Sequence, residues 1–134
     1  MLRAALLVGL MIAGPGLAQD GGPRIDLSLP GAAADVPCPD RPDDPAWFDE
    51  VPVMQAWRVV LIRHIYKLRA YERIIEAEEC GCALRYPAWD ATEEEFERLS
   101  NEMSEAELRA ARATFARGHD RLRRDVLAIC KSGA

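Results

Sequence analysis

The chain has 134 residues, 49% of them hydrophobic and 29% charged, with 17 basic against 22 acidic side chains and a net charge of −5. That length allows one small domain. The acidic balance is unsuited to neutralising a phosphate backbone, which sets nucleic acid aside as a partner. No nucleotide-cradling loop, Ser-His-Asp order or catalytic carboxylate pair can be argued from the residues, so the reading is non-enzymatic and without a cofactor.

The chain opens as a targeting segment. Arg3 supplies the positive start, Ala4 to Ala13 form an apolar run, and Gly14-Pro15 breaks it. Gly16-Leu17-Ala18 places small residues where a signal peptidase reads, which predicts a signal peptide over 1–18 and cleavage before Gln19. The run falls short of the roughly 20 residues a bilayer span needs. The mature chain is therefore expected in the periplasm, or secreted, with no membrane span. Export also explains the cysteines. Cys38, Cys80, Cys82 and Cys130 all survive cleavage, and an even count in a small exported chain reads as two disulfides.

Residues 19–44 read as an extended arm. Seven of the nine prolines fall between Pro23 and Pro52, which removes backbone donors and blocks helix. Asp44-Pro45 then starts one helical turn through Asp49. Its Trp47 and Phe48 are expected to dock on the body, and they double as candidate partner contacts.

The body spans 45–131. The first long helix is predicted from about Val53 to Glu79, with Met54, Trp57, Leu61, Ile65, Leu68, Tyr71 and Ile75 on one buried face and Val60, Ile62 and Ile74 widening it. Gly81 is expected to stop it. Residues 80–91 connect, with Tyr86 and Trp89 packing back around Pro87 and offering a second candidate contact surface. Thr92 with Glu95 reads as a capping box that starts a short helix over about 93–101. Ser104 with Glu107 is another, flanked by Met103 and Leu108 as a hydrophobic staple, and it starts a long helix over about 105–130. Leu108, Ala111, Phe115, Leu122, Val126 and Ile129 form its stripe, and Gly118 inside it points to a bend or a close helix contact. No strand signal is present. The predicted fold is all-α: a small disulfide-stapled bundle of two long helices and a short one, with an extended N-terminal arm.

The Cys80-Gly81-Cys82 segment is where chemistry could reside. Each cysteine can bond a distant partner, Cys38 and Cys130 between them. They can instead bond each other in a strained, exchange-prone ring, or bind a soft metal such as copper as free thiolates. Their place at a helix C-terminus, where the dipole disfavours a thiolate, counts against redox chemistry. The staple also bears on topology. If residues 83–103 descend along the first helix, the last helix ascends beside it and Cys130 arrives next to the segment. That up-down-up order is favoured, while the connectivity stays open.

His64 and His119 each lie near the middle of a long helix and could meet at one level. A metal or proton-switch pair with Asp120 is conceivable, but a third and fourth ligand are not evident. Two unrelated histidines at the core edge are expected. Glu76, Glu78 and Glu79 face the helix dipole unfavourably and read as a solvated end or an acidic contact patch. Three functions follow. The leading one is an exported interaction protein: an accessory or chaperone-like subunit of an envelope or conjugation-type secretion assembly, or an inhibitor- or immunity-type binder, with another envelope or secreted protein as partner. The others are a thiol–disulfide exchange factor using Cys80 and Cys82, and a copper carrier using those thiols with a histidine or Met103.

Overall fold

The computed structural model describes residues 38–132. The predicted signal peptide and residues 19–37 of the arm lie outside that range. Within it the chain is all-α: α1 (Ala56–Ala77), α2 (Cys82–Arg85), α3 (Asp90–Glu102) and α4 (Glu105–Ser132), preceded by two single 3-10 turns at Ala46–Phe48 and Val53–Gln55.

The order is up, down, up. Leu108 near the start of α4 shares a cluster with Trp57 near the start of α1, and Val126 and Cys130 near its end share one with Tyr71 and Ile74. The two long helices therefore run parallel. α3 runs back between them in sequence, from Trp89 stacked on Tyr66 at 3.9 Å to Phe96 beneath Arg58 at 5.3 Å. Gly118 is where α4 comes closest to α1, because a Cβ there would lie 3.0 Å from Leu68 Cδ2. The glycine predicted to mark a bend or close contact marks the contact.

The core has two parts along this helix pair. Phe48, Trp57, Leu61, Ile62, Ile65, Tyr66, Trp89, Phe96 and Leu108 form the larger one. Tyr71, Ile74, Val126 and Cys130 form the smaller one beside the disulfides. Fully burying each large apolar side chain is worth about 1.5–3 kcal/mol. Tyr66 belongs to the larger cluster and also donates its hydroxyl to the Pro87 carbonyl at 2.9 Å. A stripe drawn only on Leu61, Ile65 and Leu68 passes it by. Burial pushes its phenol up to about 12.

Several predicted boundaries move. Val53 and Met54 are not the first buried residues of α1: they form a separate 3-10 turn and stand 89% and 82% exposed. α1 ends at Ala77, and the left-handed residue that closes it is Glu78, at φ 52° and ψ 27°. Gly81 has ordinary extended backbone and precedes α2. The Thr92–Glu95 capping box does not form. α3 starts at Asp90, Thr92 is buried inside its first turn, and Glu95 pairs instead with Arg69 of α1. A long-range fork of charged hydrogen bonds has won over a local cap. The second box forms as read, with Ser104 N–H donating to Glu107 Oε2 at 2.8 Å and Glu107 N–H donating to Ser104 Oγ at 3.4 Å. The Ser104 donors hold the Glu107 carboxyl below its ordinary value.

Candidate functional site

All four cysteines are oxidised, and the bridges are Cys38–Cys82 and Cys80–Cys130, with Cα separations of 5.5 and 5.0 Å. Cys80 and Cys82 bond distant partners, not each other. The strained ring that the exchange reading needs is not formed, and the copper reading has no free thiolate among these four. Parallel packing brings Cys130 to the end of α1, and Cys38 is carried there by a segment fastened at several points. Arg63 makes an ion pair with Asp44, the Arg41 guanidinium lies 4.7 Å from the centre of the Tyr86 ring, and Trp47 Nε1 donates to Glu93 Oε1 at 2.8 Å. The described end of the arm is thus part of the body.

The four aromatics offered as partner contacts are placed unevenly. Phe48 and Trp89 are buried, 9% and 7% exposed, and meet edge to face at 5.3 Å. They fill the core and are not surface. Trp47 is half-buried, stacked on Phe96 at 6.1 Å. Tyr86 is half-buried and carries two guanidinium groups near its ring, Arg41 and Arg85, at 4.7 and 5.2 Å from its centre. The apolar surface that the sequence stripe missed is Val53 and Met54, side by side at the opposite end of α1 from the bridges.

The histidines are not unrelated. His64 Nδ1 and His119 Nε2 are 3.0 Å apart with their rings stacked, at the seam between the two core clusters. Gly118 makes this possible by letting α4 approach α1 one residue away. His119 Nδ1 lies 3.1 Å from Asp120 Oδ1, at an angle unsuited to a hydrogen bond, so the contact is electrostatic only. Burial holds both imidazoles below their usual value, with Lys67 adding to the effect, and His119 is pushed down to about 4. Neutral rings suit metal binding, but no group of three or more His, Cys, Asp or Glu able to hold a metal ion occurs among the described residues. Glu76, Glu78 and Glu79 are exposed and gather no such set.

Among the described residues no helix is long and apolar enough to cross a membrane. No protein-family model, curated protein or solved structure matches the chain.

Proposed function

We propose that the chain is an exported, non-enzymatic interaction protein of an oxidising compartment: an accessory or chaperone-like subunit of an envelope or secretion assembly, or an inhibitor- or immunity-type binder. The observation that carries this reading is the closure of all four cysteines into bridges that converge on one three-residue segment. Cys82 ties down the arm and Cys80 ties down the end of α4. Such a staple restrains the ends of a small domain and suits a rigid presenting scaffold. The adjacent exposed Val53 and Met54 supply an apolar contact that a monomer in water has no reason to leave bare.

The test places a photo-crosslinker at Met54 in cells expressing the full chain. The expected result is a discrete adduct with one envelope or secreted protein, lost when Val53→Glu is added, with the intact mass of the mature protein starting at Gln19. A protein that stays unprocessed in the cytoplasm, or that gives no discrete adduct in the envelope and secreted fractions, overturns the proposal.

A further inference from the structure

Above the Cys38–Cys82 bridge, the arm and α2 close over α1 and leave a groove. Its open volume is about 500 Å³ counted out to solvent, and its enclosed part is about 20 Å³, room for a group the size of one or two waters. Tyr66, Tyr86 and Trp89 give it aromatic walls, and Arg41, Lys67 and Arg85 bring three cations to it. Asp44 also lines it but is engaged by Arg63.

Two polar groups here are unusual. Arg85 is 7% exposed, forms no ion pair among the described residues, and its Nε has no hydrogen-bond partner. Tyr71 is 2% exposed and its hydroxyl has none either. Both residues line the same groove. A buried donor without a partner is costly, and a buried guanidinium without a counter-charge more so. A water molecule would accept their hydrogen bonds but would bring no charge. A carboxylate supplies both, and its two oxygens suit a guanidinium and a hydroxyl donor at once. The enclosed space fits a carboxylate head, and the aromatic walls fit an apolar body behind it.

We propose that this groove is a binding site for a carboxylate attached to an aromatic or apolar group, with Arg85 and Tyr71 holding the head and Tyr86 and Trp89 the body. The chemistry is that of a peptide C-terminus ending in an apolar residue, and equally of a free aromatic acid. The inference deepens the interaction-protein reading by naming what one surface recognises. It fails separately, because a partner captured at Met54 without carboxylate binding here would overturn this site alone.

The experiment titrates the oxidised full chain with phenylacetate, its neutral analogue phenylacetamide, and the peptide Gly-Gly-Phe with a free or an amidated terminus. The readouts are the NMR signals of Arg85 Nε–H and the Trp89 indole. Saturable shifts are expected with at least one acid, and binding of the matching amide should be weaker by roughly tenfold or more, the usual cost of losing a charged hydrogen bond. Preference for the peptide identifies a chain terminus as the ligand, and preference for phenylacetate identifies a free acid. Tyr71→Phe keeps the ring and should weaken the acid several-fold without altering the melt. Arg85→Met should abolish the difference between acid and amide. Equal binding of acids and amides, no saturable shift with either acid, or an unchanged acid affinity in Tyr71→Phe would each overturn the site.

Discussion

His64 and His119, 55 residues apart, face each other across the α1–α4 seam with Nδ1 and Nε2 at hydrogen-bond distance. In the neutral pair one ring must donate and the other accept. Asp120 beside His119 Nδ1 favours a proton there, which leaves His119 Nε2 as acceptor and His64 Nδ1–H as donor. The groups that bear on the pair are Lys67 from α1, Arg112 and Asp120 from α4, and the Tyr71 ring edge-on to His119 at 6.1 Å. Burial and the cations disfavour the imidazolium in the folded state.

Stability should therefore fall with acid in a defined window. Above pH 6.5 the rings are neutral in both states and contribute no slope. Below it the unfolded chain takes up protons that the folded chain refuses, so stability is lost until the folded His119 titrates at about 4. At about 1.4 kcal/mol per unit, and allowing for screening of a shift shared between two rings, the expected loss is on the order of 2 kcal/mol. Denaturant melts of wild type and His119→Gln between pH 7 and 4 check this. The variant should show a flatter profile, and parallel profiles would contradict the account. Carboxylates titrating in the same range, Glu95 on Arg69 among them, cancel in the comparison.

The bridges make a second prediction. They close sequence separations of 44 and 50 residues. Chain entropy for loops of that size gives an upper value of about 4 kcal/mol each, and measured losses usually lie at about 2–4. Reduction should lower the melting temperature sharply. The two single losses should differ in kind. Cys80→Ser with Cys130→Ser frees the end of α4 from the smaller core, whereas Cys38→Ser with Cys82→Ser frees the segment carrying Arg41. Hydrogen exchange should accordingly rise over 122–132 in the first variant and stay near wild type there in the second.

How far the sequence could be read depends on which interactions decide each element. Apolar periodicity and the Ser104–Glu107 box are local, and they place α4 and most of α1 correctly. The Cys130 argument from helix length orders the helices correctly as well. What escapes is non-local. Glu95 satisfies either a cap at Thr92 or the guanidinium of Arg69, and only the fold shows that Arg69 is within reach. Tyr66 and Arg85 are buried by an arm whose path no periodicity reveals. The histidines were legible as a possible pair but not as an actual one, since contact depended on the approach at Gly118.

Gly118 is itself testable. A methyl at this position gains about 1 kcal/mol in helix propensity but would sit 3.0 and 3.2 Å from the two Leu68 methyls. Leu68 is only half-buried and its tip can turn aside. Gly118→Ala is therefore expected to be nearly neutral, within about 1 kcal/mol. Gly118→Leu cannot be absorbed that way and should cost more than about 2 kcal/mol while pushing His119 from His64. Chemical denaturation gives the first quantity, and the imidazole NMR shifts report the second.

The end of α1 gives a prediction that separates two candidate stop residues. Glu78 occupies the left-handed region at φ 52°, where a Cβ meets the following carbonyl, and it places an acid against the negative end of the helix dipole. Both effects vanish in Glu78→Gly, and the gain should be about 1 kcal/mol. Gly81 is the more obvious stop in the sequence, yet its φ is −68° and a Cβ there would meet nothing within 4 Å. Gly81→Ala should therefore be harmless or stabilise by about 0.5 kcal/mol through the unfolded chain. If Gly81→Ala were the damaging change and Glu78→Gly the silent one, the helix would end where the sequence pattern placed it and the bridge geometry at Cys80 would have to be redrawn. Thermal melts of the two single variants under oxidising conditions decide between these outcomes.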